Sequence, residues 1–323
     1  MILPLVIPKY QTIPSFTHGL AILYANNPNI ADIWVINNCL SIRFLADDVI
    51  NGNSYLHIMP SYTIPSCFLL KLYNKPFDLN DDVSNMIKSH INNGYYILAS
   101  VDCYFLSCHV SAKNNYHFVH PIIVYGYDAE KLFVADHFFN DDNKFSLNTV
   151  SPDEFTEGYI SAHTTHSDKN YFPDMNLIQY REPIFEYAIN KNHIKKIVHN
   201  YLESRFYNEY NVYGDYDKQH ICGYNALLTA IDFLKRTNIQ YPNNIRLLHE
   251  IVTHSEILFL AISNLNIAVL KDDAKYYVEY CIMLRNWLIR EKIKKGKGDI
   301  DSEMLDRVPA LSLSLYNRLY DLL

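Results

Sequence analysis

His117-Phe-Val-His120-Pro-Ile-Ile-Val-Tyr-Gly-Tyr-Asp128, followed after three residues by Leu132-Phe-Val-Ala-Asp136, carries the pattern of a β-hairpin. Pro121 to Tyr127 is rich in β-branched and aromatic residues, Asp128 to Lys131 has turn chemistry, and Leu132 to Ala135 is a second short apolar run. In a hairpin centred near residue 128, the start of the first strand lies beside the end of the second. His120 and Asp136 occupy those two places. A carboxylate beside an imidazole fixes its tautomer and stabilises the imidazolium, the arrangement of a general base. Such a pair needs something to deprotonate.

Working outward, Tyr95 to Val101 is a nearly unbroken apolar run and reads as a buried strand closed by Asp102-Cys-Tyr104. Asp82 to Asn92 has helical apolar spacing (Val83, Met86, Ile87, Ile91) and a stop at Asn93-Gly94. Ser15 to Tyr24 reads as a helix ended by Asn26-Asn27-Pro28. Ile33 to Ile36 is a short apolar run, and Leu40 to Phe44 alternates like a strand. Beyond the hairpin, residues 151–190 read as a polar, irregular bridge with Pro152, Pro173 and Pro183, although Ser151-Pro-Asp-Glu is a helix start. From 191 the period becomes helical over 192–207, 222–236, 243–270 and 274–294, with a final short helix after Gly296 to Asp301. The expectation is an α+β chain: a catalytic-type domain over 1–150 and a helical domain over 151–323 that begins with the bridge at 151–190.

Composition narrows the function classes. Of 323 residues, 49% are hydrophobic and 20% charged, enough for a sizeable core. The net charge of −7 argues against a nucleic-acid binder, which needs a basic face. The run Lys292 to Lys297 reads as a solvated helix end. The six cysteines (Cys39, Cys67, Cys103, Cys108, Cys222, Cys281) form no CxxC pair and read as reduced thiols of a cytoplasmic protein. The spacing around Cys108-His109 fits no zinc pattern. The apolar start MILPLVIPKYQ lacks a basic leader and is broken by Pro4 and Pro8, and no apolar run is long enough to span a membrane.

Asp102-Cys-Tyr104, His117-Phe-Val-His120, Val124-Tyr-Gly-Tyr-Asp128 and Val134-Ala-Asp136 together resemble the N-terminal domain of the butirosin-biosynthesis protein H family. The likeness spans roughly 95–137 and is looser elsewhere. It implies a papain-like cysteine-protease/acyltransferase core with a C-terminal helical domain. The implied activity is acyl transfer from a carrier-protein thioester, or another small acyl donor, to an amine acceptor in natural-product biosynthesis. It implies no cofactor. By this resemblance His120 maps to the catalytic histidine and Asp136 to the acid that orients it. Asp102 and Tyr104 map to a strand-end motif near the substrate channel. A cysteine-protease-like hydrolase and a catalytically degenerate paralogue that binds substrate or partner are the alternatives; a homodimer is left open.

The family's nucleophile motif is His-Cys-x-x-x-Ala at the start of the first helix. There a helix N-terminus lowers a thiol pKa and offers N–H groups to an oxyanion. Here the matching stretch is Phe16-Thr17-His18-Gly19-Leu20-Ala21, and aligning Ala21 puts Thr17 where the cysteine belongs. Backbone amides near Thr17 to Gly19 would then stabilise the tetrahedral oxyanion, with His18 a substrate-binding residue. Gln11 has the spacing of the oxyanion glutamine. Three readings stay open. Cys39 supplies a thiol from a neighbouring loop; Thr17 is activated by His120; or no covalent intermediate forms and His120 acts directly on the amine. Cys222 in His220-Ile-Cys222-Gly-Tyr-Asn-Ala226 superficially copies the motif, and Cys103 and Cys108 are candidate channel-lining residues. The acidic pairs Asp47-Asp48, Asp81-Asp82 and Asp141-Asp142 suit a cationic acceptor. Lys191 to Lys196 and Lys292 to Lys297 are the basic patches that would suit an acidic carrier.

Overall fold

The computed structural model describes residues 1–10, 14–45, 55–59, 69–73, 82–138, 145–166, 175–184, 186–205, 220–237, 242–295 and 302–323. In chain order its elements are α1 (Pro14–Asn26), α2 (Pro28–Asn38), β1 (Ser41–Leu45), β2 (Tyr55–Met59), β3 (Leu69–Tyr73), α3 (Val83–Asn92), β4 (Tyr96–Asp102), β5 (Val119–Tyr127), β6 (Leu132–His137), β7 (Phe145–Val150), α4 (Pro152–Thr164), β8 (Asn176–Tyr180), α5 (Lys191–Leu202), β9 (His220–Cys222), α6 (Gly223–Thr237), α7 (Pro242–Asn264), α8 (Ala268–Lys295) and α9 (Ser302–Leu322). The chain is α+β, with antiparallel sheets. It divides into two units, Met1–Ala31 with Tyr62–Tyr187, and Asp32–Ser61 with Ala188–Leu323.

The first unit is built on a six-stranded sheet in the order β3-β8-β4-β5-β6-β7. Its centre is β4, whose seven residues are all buried, as the unbroken apolar run requires of a strand covered on both faces. The helix α3 forms where the sequence places it. Asp82 caps it by accepting from the Asn85 N–H at 3.0 Å, and Val83, Ile87 and Ile91 bury one face. Gly94, at φ +80°, lets the chain turn out of the helix without a Cβ clash. At the other end of the sheet, Ser151 and Glu154 form a capping box at the start of α4, with Pro152 in its first turn.

Residues 151–190, expected to be an irregular bridge, contain two regular elements among the described residues. They hold α4 and β8, and β8 lies inside the sheet between β3 and β4. Its sequence, Asn-Leu-Ile-Gln-Tyr, has only two aliphatic residues, and its place is set by ladder pairing on both edges (Ile178 opposite Lys71 and Tyr96). The expected boundary at 150 differs from the structural division. The segment 151–187 stays with the first unit, and residues 32–61 join the second.

The second unit carries helices α5 to α9 and a three-stranded sheet in the order β2-β1-β9, so it is not purely helical. The apolar run at Ile33 to Ile36 lies in α2, which starts at Pro28 directly after α1; the Asn27 side chain accepts from the Ile30 N–H at 3.2 Å. The break expected between the helices at 243–270 and 274–294 lies earlier, at 265–267, because Asn266 takes φ +57° and the chain turns there between α7 and α8. The final helix is long rather than short, with Leu305, Val308, Leu315, Tyr316 and Leu319 buried along it.

A polar chain crosses the interior of this unit. The Tyr316 hydroxyl lies 2.7 Å from the Leu40 carbonyl and 2.8 Å from His254 Nε2. A hydroxyl has one proton, so Tyr316 donates to Leu40 and the His254 N–H donates to Tyr316. Burial lowers the His254 pKa to about 4, so the ring is neutral at neutral pH. No helix among the described residues is long and apolar enough to cross a membrane.

Candidate active site

His120 stands near the start of β5, opposite Val101 of β4, and Asp136 stands near the end of β6. What brings them together is a β-bulge. Near the turn Tyr127 pairs with Leu132 and Gly126 with Phe133, but the next partners are Val124 with Val134 and Ile123 with Ala135. The extra residue on β5 shifts the register by one, which places Asp136 beside Ile122. Ile122 and His120 are two residues apart and share a face. Without the bulge Asp136 would sit beside Ile123 and point to the opposite face. The bulge is accompanied by the first residues of the chain: Leu3 N–H donates to the Tyr125 carbonyl at 2.8 Å, and Tyr127 N–H donates to the Met1 carbonyl at 2.8 Å.

His120 Nδ1 is 2.6 Å from Asp136 Oδ2. The carboxylate is fully buried, and two more imidazoles face it: His18 Nε2 is 3.5 Å from Oδ1 and His109 Nε2 is 3.6 Å from Oδ2. Burial alone would raise the Asp136 pKa. The charge interaction with His120, its short hydrogen bond and the nearby His109 and His18 rings outweigh it and hold the carboxyl well below its usual range. Asp136 is thus a permanent anion at neutral pH. Its position assigns the Nδ1 proton to His120 and leaves Nε2 as the basic nitrogen. The His120 ring is stacked by Phe118, with centroids 5.4 Å apart, and its side chain is 11% exposed.

Thr17 and His18 come from α1. Thr17 is fully buried, and its Oγ1 is 3.3 Å from His137 Nε2. The hydroxyl therefore engages His137, not the His120 that the threonine reading required. Phe145 packs edge-on against both His18 and His137, with centroids 5.5 Å away in each case.

Among the described residues, Cys39, Cys103, Cys108 and Cys281 do not fit the role of an activated nucleophile, which needs a lowered pKa. Cys39 belongs to the second unit, whereas His120 belongs to the first. It is fully buried, and burial pushes its thiol well above the ordinary value. Cys103 and Cys108 are buried in the first unit, and burial, then the negative charge of Asp136, pushes both thiols up. Cys281 is pushed up to about 12 by burial. Cys222 is buried at the end of β9. Gln11, Cys67, Asp47, Asp48, Asp81, Asp141, Asp142 and the side chains of Lys292 to Lys297 lie outside the described residues.

Asp102 and Tyr104 sit at the end of β4 and in the 3-10 turn that follows. Asp102 is fully buried. Its Oδ1 accepts from the N–H groups of Tyr104 (3.1 Å) and Phe118 (3.2 Å). Its Oδ2 lies 2.7 Å from His117 Nδ1 and accepts from the Ser161 hydroxyl at 2.8 Å. Desolvation opposes the charge, but these four hydrogen bonds win and lower its pKa. Tyr104 stacks on the His117 ring at 4.3 Å. The surroundings of the two carboxylates were only partly legible: His109, His137, His117, Ser161 and His166 are spread over the chain with no spacing that announces a site.

The chain matches no model of a known protein family, and no curated protein matches it.

Proposed function

We propose that the first unit is a papain-like acyltransferase that joins an acyl group from a thioester, on a carrier protein or a small donor, to an amine, with no acyl-enzyme intermediate. The observation that carries this reading is the buried His120–Asp136 pair at 2.6 Å. The nucleophile has three readings: Cys39, Thr17, or none. The raised thiols and the engagement of Thr17 with His137 favour the one in which His120 acts directly on the acceptor.

In this mechanism His120 Nε2 takes a proton from the acceptor amine as its lone pair attacks the thioester carbon. Asp136 holds the ring and stabilises the imidazolium as it forms. The tetrahedral oxyanion collapses, the C–S bond breaks, and the imidazolium returns its proton to the departing thiolate. Amide and free thiol leave, and the base is restored. Water in place of the amine gives hydrolysis by the same steps. A non-catalytic binding role is the second reading, favoured by the described thiols, which are all buried.

The test uses an N-acetylcysteamine thioester with a polyamine and an aminoglycoside as acceptors, read by mass spectrometry of product and of intact protein. The expected result is amide formation with no acyl adduct on the chain, lost in His120→Ala with the circular dichroism unchanged. A cysteine-bound acyl adduct that turns over, full activity in His120→Ala, or no acyl transfer by wild type would each overturn the proposal.

A further inference from the structure

Asp102, His117 and His166 form a second cluster in the first unit, distinct from the His120–Asp136 pair. One ligand-competent atom of each lies within 4.8 Å of the others. Two imidazoles and one carboxylate are the donor set of open, three-ligand sites for first-row divalent ions such as zinc. The three residues come from different elements: Asp102 ends β4, His117 precedes β5, and His166 follows α4.

Hydrogen bonding within the cluster leaves one ligand-competent nitrogen unused. His166 Nε2 is 3.7 Å from Asp102 Oδ2, too long for a hydrogen bond, and this buried nitrogen makes none. Two ligand atoms each ~2.0–2.1 Å from a tetrahedral zinc stand ~3.3–3.5 Å apart. His166 needs to close by a few tenths of an ångström. His117 Nδ1, at 2.7 Å from the same oxygen, needs to open by somewhat more. Its side chain is 45% exposed and stacks on the Tyr104 face, which leaves room for that shift. The carboxylate, by contrast, is fixed. Two backbone N–H groups hold Oδ1 and the Ser161 hydroxyl supports Oδ2, the kind of outer support that orients metal ligands.

We infer that Asp102, His117 and His166 bind one divalent transition-metal ion of the zinc class, which ties the end of α4 to the end of β4. The inference is independent of the acyl-transfer reading. The test is titration of chelator-dialysed full-length chain with zinc chloride against a chromophoric chelator, and with cobalt(II) chloride by visible absorption. The expected result is one equivalent of zinc bound with a Kd of about 1 μM or tighter. Cobalt should give the intense d–d bands of four or five coordination. His117→Ala and His166→Ala should each weaken zinc at least ~30-fold, and zinc should raise the melting temperature of wild type but not of His166→Ala. Neither residue is part of the buried core, so both variants keep the fold, which circular dichroism checks. Ser161→Ala, which retains all three ligands, should still bind. No binding by wild type at 100-fold higher zinc than that Kd overturns the inference. So does one-to-one binding unchanged in both histidine variants, since 14 histidines offer other places for an ion.

Discussion

Replacing Asp136 by Asn keeps the shape of the side chain and removes the charge that three imidazoles face. The wild-type carboxylate holds a charge-assisted hydrogen bond at 2.6 Å to His120, worth about 1.5–3 kcal/mol. It also has two longer contacts, at 3.5 Å to His18 and 3.6 Å to His109. An amide can turn its oxygen to only one side, so its NH2 group then replaces a charged acceptor opposite a second ring. The total loss is about 2–4 kcal/mol at pH 7, within the range for breaking a buried, hydrogen-bonded charge. The pH dependence follows from the depressed folded pKa of Asp136, whose ordinary value is 3.8. Its contribution is complete above about pH 3.8 and is lost as pH falls through the folded value. The difference between wild type and Asp136→Asn should therefore hold between pH 7 and pH 5 and shrink below pH 3.8. Both tryptophans, Trp34 and Trp287, lie in the second unit, so their fluorescence is the wrong probe. Hydrogen exchange with mass spectrometry on peptides covering Tyr96–Asp102 and Val119–His137 reads the first unit directly. At ~1.4 kcal/mol per decade, protection should fall roughly 30- to 700-fold at pH 7. A loss of protection under about 3-fold, or an equal loss at pH 7 and pH 3, would refute the reasoning.

Gly158→Ala in α4 should destabilise the first unit by about 1–3 kcal/mol, against the ~1 kcal/mol that helix propensity alone would contribute, because the new Cβ meets Val101 Cγ1 at 2.6 Å and the Asp102 carbonyl at 2.9 Å; urea unfolding followed by circular dichroism gives the sign. In the second unit, His254 is held neutral down to about pH 4 against an ordinary 6.5. Its folded pKa is depressed, so the unfolded chain takes up the proton first and stability falls between pH 6.5 and pH 4, by up to about 3 kcal/mol. Glu250, whose pKa burial raises, works in the opposite direction, so the measurement is the difference between wild type and His254→Leu by tryptophan fluorescence, which should shrink by that amount over the same interval. Cys39, Cys103, Cys108 and Cys281 should resist iodoacetamide in the native chain and react fully in urea, as peptide mapping will show; rapid native labelling of any one of them would reopen a thiol mechanism.

Local signals were sufficient where an element makes its own case. The cap at Asp82, the apolar face Val83-Ile87-Ile91 and the stop at Gly94 all lie within α3, and its limits were readable. The same holds for the all-buried β4 and the β5–β6 hairpin. β8 was missed because its two aliphatic residues carry no alternation; its pairing with β3 and β4 supplies what the pattern lacks. The break between α7 and α8 was expected several residues too late because the apolar period runs on through it, and the left-handed Asn266 marks the actual turn.

His120 and Asp136 could be singled out from sequence, since residue type and hairpin symmetry suffice to place a histidine near a carboxylate. Whether the two share a face was not legible. Strand side chains alternate, so one residue of register decides the matter, and that residue is the bulge between Val124 and Gly126. The other imidazoles around Asp136, the meeting of Asp102 with His117 and His166, and the assignment of Cys39 to the other unit depend on contacts between segments far apart in the chain. Sequence by itself determined the hairpin and the chemistry its ends carry. The tertiary structure decided which groups that chemistry faces, because convergence of distant side chains is set by sheet order and register, and neither is encoded in the spacing of the residues that converge.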